Sequence, residues 1–350
     1  MELAIYFLVY LLAIWFIFFP KFLTQSGFFI TWFVTVFLLS LIIRSSIGDT
    51  KSADIDNYIY YMTAIPGLEI SLNYMLREFI FWFGIRFLFF LVQDGSLVFV
   101  ILDVILFLYI YKGFILCKKA FYPKLNQSHL NYLLFSVMLF HPFVMGMHNT
   151  YRQILATSIF ITAIGLIGNK KTIKGYLTSL IAVFIHNASA MFLPLLMLVT
   201  PNKIIRNMSF FTIPPIVGLL ILTGSSENEF ISRDNSIDIG STLQYLLAAV
   251  FIILFSAIAG LELTSKHKKG HDVLITFFLI LILLFIPVVI TSSGEQAQRL
   301  SFYVFSFIFP FLGFYVASSF KPRVISSLVF FHFSILPLFL IYNTTIDLGF

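Results

Sequence analysis

Long apolar runs recur along this chain of 350 residues and are separated by short polar segments. A helix needs about 17–25 apolar residues to cross the hydrocarbon core of a bilayer. On that basis the pattern predicts transmembrane helices at residues 2–19, 28–43, 96–116, 130–147, 153–168, 208–223, 242–263, 272–291, 299–318 and 324–342. The strict alternation of apolar and polar residues typical of membrane β-barrels is absent. The sequence therefore predicts an all-α polytopic membrane protein with one domain and about 10–12 transmembrane helices.

Charges in the short loops predict how these helices are oriented. Lysine-rich loops belong on the cytoplasmic side, which leaves the acidic loops 44–75 and 224–241 on the outer side. The lysine-rich loops contain Lys118, Lys119 and Lys124; Lys170, Lys171 and Lys174; Lys203 and Arg206; Lys266, Lys268 and Lys269; and Lys321 and Arg323.

Two further segments are apolar but carry polar residues, and the number of crossings predicts their form. One crossing joins the outer loop 44–75 to the inner loop at 117–129, and residues 96–116 supply it, so residues 76–92 are predicted to form an interfacial or re-entrant helix. Residues 175–200 lie between two basic loops, so they should enter the membrane and return as two half-helices that break near His186. Backbone that is not helical is tolerated within the membrane only where it is buried in protein or lines a water-filled cavity.

Composition excludes several classes of protein. Residues are 59% hydrophobic and 11% charged, whereas a soluble domain usually has about 25% charged residues. The single cysteine, Cys117, cannot form an intramolecular disulfide or a cysteine-based metal site. The net charge of +6 comes from the loop lysines, so it indicates membrane topology and not a nucleic-acid partner.

The predicted topology separates the two basic residue types. The inner side holds 13 of the 14 lysines, although the positive-inside rule does not distinguish lysine from arginine. A guanidinium group binds phosphate or carboxylate with two hydrogen bonds and stays charged in a dry site. We therefore expect the outer face to bind an anionic ligand. Six of the eight arginines are on that side: Arg44, Arg77, Arg86, Arg152, Arg233 and Arg299.

Several motifs occur in an order that resembles a known family. An arginine ends an early span and opens the segment RSSIGDTKSADIDNYIYY, from Arg44 to Tyr61. A segment led by Glu78 follows, then Arg152-Gln153-Ile154-Leu155-Ala156, a lysine-rich turn, and His186-Asn187-Ala188-Ser189-Ala190. This order resembles the EpsG/Wzy-type polysaccharide polymerases of bacterial membranes. The resemblance covers roughly residues 40–200 and extends more loosely to Arg299.

The resemblance implies an outer-face glycosyltransferase of the bacterial cytoplasmic (inner) membrane. Such an enzyme transfers a growing glycan from one undecaprenyl diphosphate to the terminal sugar of another lipid-linked repeat unit, making O-antigen, capsule or exopolysaccharide. A flippase and a chain-length regulator are its implied partners. No cofactor is expected, and no metal is needed if arginines stabilise the charge that develops on the diphosphate.

Candidate site residues follow from these motifs and from their chemistry. Arg44, Arg152, Arg299 and Gln153 are predicted to bind the diphosphate. The acceptor hydroxyl needs a base within hydrogen-bond reach. Candidates for the catalytic group are His186, Asp49, Asp54, Asp56 and Glu78, with either Asp49 or Asp54 corresponding to the family's loop aspartate.

Each candidate also has a simpler structural interpretation. Arg152 could be an interfacial anchor, and His186 could be a hydrogen-bonded helix break. Ion pairs are the simpler explanation for three others: Arg44 with Asp49, Glu78 with Arg77, and Arg299 with Glu295. Asp103, inside the span at 96–116, is expected to pair with a neighbouring helix and is not assigned to the site.

Two other functions fit a membrane protein that handles lipid-linked glycans. A flippase should carry charged residues through a central cavity that reaches both faces, whereas the charged residues of these spans cluster at the outer ends. An O-antigen ligase-like transferase would be expected to have a longer outer loop than residues 224–241.

Overall fold

The structure is a computed structural model that describes residues 2–19, 25–45, 53–63, 76–139, 146–147, 150–200 and 202–209, with positions 211, 215, 313 and 314. Over these residues the chain is helical and has no β-strand. This confirms the all-α prediction. The spans predicted at 242–263, 272–291, 324–342 and most of 208–223 and 299–318 lie outside the described residues, as does the loop 224–241.

The described helices agree with the early predicted spans to within a few residues, except that the helix beginning at Gln127 is described only as far as Leu139. A 3-10 segment follows the helix that ends at Ile185. The elements are α1 (Glu2–Phe18), α2 (Gln25–Ser45), α3 (Ala53–Thr63), α4 (Phe79–Val92), α5 (Gly95–Phe121), α6 (Gln127–Leu139), α7 (Tyr151–Gly168), α8 (Thr172–Ile185), the 3-10 segment (Asn187–Leu195) and α9 (Leu196–Val199).

Three of the described helices are long and apolar enough to cross a membrane. They cover Ser26–Ser45, Gly95–Phe121 and Tyr151–Gly168, which correspond to α2, α5 and α7. The apolar helices α4 and α8 are shorter, at 14 residues each. The fold is therefore that of an all-α polytopic membrane protein, and the total number of crossings stays a prediction.

Helices α5 and α7 form the centre of the described structure and run in the same direction. The ring of Phe99 near the start of α5 meets Tyr151 at the start of α7, with 5.1 Å between centroids. Near the other end, Nδ2 of Asn169 donates to the carbonyl of Leu116 at 2.8 Å. Helix α2 runs in the opposite direction along α5, because Phe29 contacts Tyr111 while Arg44 reaches the start of α5.

The parallel pair gives the bundle two chemically different ends. One end carries Lys118 and Lys119 of α5 together with Lys170 and Lys171 after α7, and we call it the lysine end. We call the opposite end, where α5 and α7 begin, the arginine end. Among the described residues, Arg44 and Arg152 lie near this end and the four lysines lie at the other, in agreement with the separation predicted for these residues.

Helix α4 begins and finishes at the arginine end, as the count of crossings predicted for residues 76–92. At its start, Trp82 packs on Tyr58 of α3, with 5.7 Å between ring centroids. At the C-terminus of α4, Gln93 adopts a left-handed conformation with φ of 57°. The Asp94 side chain then caps α5 by accepting a hydrogen bond from the Leu97 N–H at 3.0 Å. The tight turn sends the chain directly into α5 without a crossing.

Helix α8 returns from the lysine end and breaks at His186, where the sequence predicted a break. The segment predicted to return after the break is helical, but it is a 3-10 helix over Asn187–Leu195 that is followed by the single α-helical turn of α9. Pro194 gives a physical reason, since proline lacks an N–H donor and disfavours α-helical backbone in the residue before it. The ring of Phe192 packs against that of Phe160 of α7, with 6.1 Å between centroids. The segment therefore turns back along α7 after the break.

Gly165 allows the close approach of α5 and α7, and its substitution gives a first testable prediction. A Cβ at this position would lie 2.5 Å from the Leu116 Cβ and 3.1 Å from the Cys117 amide nitrogen. Gly165→Ala must therefore push the two helices apart, and we expect it to destabilise the protein by about 1–3 kcal/mol. A thermal melt in detergent would measure the loss.

Gly84 of α4 provides the matched control for this substitution. A Cβ there would meet no other atom within 4 Å, so Gly84→Ala should leave the melting temperature unchanged or raise it slightly. Equal melting temperatures for the two variants would contradict the close packing of α5 on α7.

Candidate functional site

A buried carboxylate, Glu78, connects three segments at the arginine end. It precedes α4, and its side chain is only 2% exposed. Its Oε2 accepts a hydrogen bond from Nη1 of Arg152, the second residue of α7. Its Oε1 lies 2.8 Å from Nδ1 of His186 and accepts from the Asn187 N–H at 3.0 Å. We call Glu78, Arg152 and His186 the polar triad.

The break after α8 is what brings His186 and Asn187 to this carboxylate. The α-helix ends at Ile185, and His186 has extended backbone with φ of −147°. The Asn187 N–H points away from any helical partner and donates to Glu78 instead. The helix break therefore builds part of the site.

Arg152 is held at its position by aromatic rings as well as by Glu78. Its Nε donates to the Tyr58 hydroxyl at 3.0 Å. Its Cζ lies 5.4 Å from the ring centroids of Tyr58 and Trp82 and 6.0 Å from that of Phe81, within the range of cation–π attraction. The side chain is 16% exposed, so the surrounding protein does not enclose it completely.

Glu78 is ionised at neutral pH. Burial alone would raise the pKa of its carboxyl, but the His186 hydrogen bond, the Arg152 charge and the Asn187 N–H together lower that pKa below its ordinary value of 4.5. An ionised carboxylate only accepts hydrogen bonds, so the hydrogen of the His186 contact belongs to Nδ1. A neutral His186 then has Nε2 as a proton acceptor, and its side chain is 20% exposed.

Arg44 lies in a second buried cluster and has protein partners for its charge. Its Nε and Nη2 donate to the two oxygens of Asp103 at 2.8 and 2.9 Å, and its Nη1 and Nη2 each lie 3.1 Å from the Met147 carbonyl. Ser40 donates to the same Asp103 at 2.6 Å. Arg44 is 1% exposed and Asp103 is fully buried. The pair therefore connects α2, α5 and the segment that precedes α7.

The buried cluster around Arg44 favours an ion pair over the diphosphate-binding role that the sequence suggested for this residue. The pairing of Asp103 with a neighbouring helix is confirmed, because Asp103 pairs with Arg44 of α2. Asp49, which the sequence suggested as a partner of Arg44, lies outside the described residues. A carboxylate, a carbonyl and the rings of Phe99 and Tyr151, each 5.4 Å away, surround the guanidinium. Such a buried group is better suited to support the fold than to contact a diphosphate.

The other predicted site residues are placed as follows. Gln153 follows Arg152 on α7 and is 4% exposed. Asp54 lies in α3, and Asp56 of the same helix is partly buried, which raises the pKa of its carboxyl. Asp49 and Arg299 lie outside the described residues. The described residues thus bring together Glu78, Arg152 and His186, and Glu78 pairs with Arg152, although the sequence suggested Arg77.

Tyr58 and Trp82 were missed by the sequence analysis, although Tyr58 falls inside the quoted motif. The sequence predicted an acidic outer loop at residues 44–75, yet α3 forms within it and buries Ile55, Tyr58 and Met62. Spacings of three and four residues between these positions are typical of one face of a helix. That spacing is the signal that could have identified α3.

The described residues contain no group of three or more His, Cys, Asp or Glu side chains that could hold a metal ion. The charged centre of the described site is instead one carboxylate, one guanidinium and one imidazole. Independence from metal stays a prediction.

These features define a polytopic all-α membrane protein with a compact polar site at one end of its helices. The model of the EpsG family matches residues 29–349, nearly the whole chain, and the protein belongs to that family. No curated protein and no solved structure matches the chain. The family membership confirms the resemblance and indicates a membrane protein of the polysaccharide-polymerase kind.

Proposed function

We propose that this protein is a membrane glycosyltransferase that polymerises lipid-linked oligosaccharide repeat units. The observation that carries the proposal is that one buried carboxylate, Glu78, contacts both a guanidinium and an imidazole. This geometry supports a base next to a stabiliser of negative charge, which is what transfer from a diphosphate leaving group requires. The family membership supports the polymerase class.

In the proposed reaction, a hydroxyl oxygen of the acceptor sugar attacks the anomeric carbon of the donor glycan. The bond from that carbon to the diphosphate oxygen breaks, and undecaprenyl diphosphate leaves with the bonding electrons. Nε2 of His186 takes the hydroxyl proton. Glu78 holds Nδ1–H of the ring, which keeps Nε2 as the acceptor and stabilises the imidazolium that forms.

Arg152 is proposed to stabilise the negative charge on the departing diphosphate. One preorganised donor of this kind is worth about 3–4 kcal/mol in the transition state. To act as the base, His186 must be neutral before the reaction; with Glu78 ionised and Arg152 charged, the triad in that state has no net charge. Proton transfer to His186 makes the triad positive as the diphosphate develops its charge, so the two events favour each other.

The proposal includes an orientation in the bacterial cytoplasmic membrane. Lys118, Lys119, Lys170 and Lys171 would lie on the cytoplasmic side. The polar triad would then lie on the outer side, where a flippase delivers the lipid-linked units and a chain-length regulator acts. Whether the product is O-antigen, capsule or exopolysaccharide depends on the repeat unit that the cell supplies.

Glycan length in cells tests this proposal. Arg152→Ala or His186→Ala, expressed as the sole copy, should leave single repeat units on the lipid carrier, because each change lowers the rate by at least about 100-fold. Immunoblotting checks that each variant is present, and Lys174→Ala, on the exposed surface near the lysine end, is the control. Normal chain lengths in both variants would place the site elsewhere. Failure of the repeat units to reach the outer face would support a flippase.

A further inference from the structure

Tyr58 connects a helix of the outer segment to the polar triad. It lies on α3, and its hydroxyl accepts from Nε of Arg152 at 3.0 Å. Its ring packs against Phe81 and Trp82 of α4 and against Phe99 of α5, with centroid distances of 5.3, 5.7 and 6.3 Å. A single side chain therefore contacts two other helices, α4 and α5, and the guanidinium of Arg152.

The contacts of Arg152 define the orientation of its guanidinium. Nε is bound by Tyr58 and Nη1 by Glu78, on two different edges of the planar group. Two hydrogen bonds from a rigid planar group to two fixed partners prevent its rotation. The rings of Tyr58 and Trp82 add cation–π contacts at 5.4 Å each, so the charge is held on an aromatic surface.

Helix α3 is itself fastened to the bundle next to Tyr58. Nε and Nη2 of Arg86, from α4, donate to the Tyr61 carbonyl at 3.3 and 3.2 Å. Ile59 packs close to Gly95 at the start of α5. These contacts limit how far α3 can move, and so they limit the positions available to the Tyr58 hydroxyl.

We propose that Tyr58 is a positioning residue that orients Arg152 for the substrate diphosphate, which makes α3 a part of the active site. The inference rests on the proposed function, because it assigns Arg152 to the diphosphate. Tyr58 acts through Arg152 and need not touch the substrate. The site would then depend on a helix in the outer segment, which the sequence predicted to be an acidic loop.

Binding of undecaprenyl diphosphate to the full chain in lipid nanodiscs tests the inference, with undecaprenol as the ligand that lacks the diphosphate. Tyr58→Phe removes only the hydroxyl, and we expect about tenfold weaker binding, the usual size of a hydrogen bond to a charged group. Tyr58→Leu also removes the ring and should weaken binding by about 50-fold. Tyr60→Phe removes a hydroxyl from the exposed side of the same helix and should bind as the wild type does.

A double variant separates positioning of Arg152 from a general effect on the fold. In an Arg152→Ala background, Tyr58→Phe should cause no further loss of affinity, because the group that it positions is gone. If Tyr58→Phe has no effect on its own, or the same effect with and without Arg152, the inference is wrong while the proposed function stands. If Arg152→Ala binds undecaprenyl diphosphate as the wild type does, or the wild type does not bind it, the proposed function fails first.

Discussion

Glu78→Gln is expected to lower the rate of glycan polymerisation by about 10⁴-fold, the size of loss seen when the carboxylate that orients a catalytic histidine becomes an amide. Glu78 accepts hydrogen bonds on both of its oxygens, from Arg152 on one and from His186 and Asn187 on the other. The glutamine amide has only one acceptor oxygen, so its NH₂ group must face a donor on one side.

The measurement for Glu78 is the initial rate of chain extension by the purified protein. Glu78→Asp keeps the charge but shortens the side chain, so we expect it to retain more activity than Glu78→Gln. The reverse order would mean that the shape of this residue matters more than its charge. A Glu78→Gln rate within about tenfold of the wild type would be too high for the role assigned here.

The second large effect concerns the buried pair of Arg44 and Asp103. Removing either charge alone leaves the other buried without its main partner, which costs about 3–5 kcal/mol. We therefore expect Arg44→Ala and Asp103→Ala each to lower the melting temperature strongly and to reduce the amount of protein in the membrane. Thermal melts in detergent and immunoblots of membrane fractions measure the two effects.

A double variant distinguishes this structural role from the diphosphate-binding role that the sequence suggested for Arg44. Arg44→Met with Asp103→Leu removes both charges and should recover much of the lost stability, as replacement of buried pairs by apolar residues often does. Recovered polymerisation in the double variant would show that Arg44 supports the fold. A stably folded Arg44→Ala protein that has lost affinity for undecaprenyl diphosphate would show instead that Arg44 is a substrate ligand.

The long helices could be predicted from the sequence because length and apolar composition determine them. Helices α2, α5 and α7 lie within a few residues of the predicted spans, since a membrane-crossing helix satisfies its own backbone and is specified locally. Loop charges and the number of crossings also predicted that residues 76–92 stay on one side and that the chain breaks near His186. Both predictions follow from topology and need no knowledge of which side chains meet.

The partners of the charged residues could not be predicted, because they depend on how the helices pack. Glu78 is separated from Arg152 by 74 positions and from His186 by 108. The sequence suggested Arg77 for Glu78 and Asp49 for Arg44 because near neighbours are the simplest choice. In the structure each charge is satisfied across the bundle, where the surrounding protein excludes water and strengthens the interaction.

Helix α3 and the segment after His186 show a second limit of the sequence analysis. The buried positions of α3 are interleaved with aspartates and asparagine, so its composition is that of a solvated loop. After His186 the apolar composition suggested a half-helix, but the backbone follows a 3-10 path towards Pro194. In both segments, composition alone did not predict the type of secondary structure. The spacing of the buried residues in α3 and the backbone near Pro194 determined it instead.

The most direct test of the account is polymerisation by the purified protein in liposomes, supplied with lipid-linked repeat units from cells that lack it. We expect a ladder of chain lengths for the wild type, none for His186→Ala, and partial recovery of the ladder when imidazole is added to that variant. Recovery would identify proton transfer at this position as the missing step. A His186→Ala protein that makes the ladder at the wild-type rate would contradict the assignment of the polar triad as the active centre.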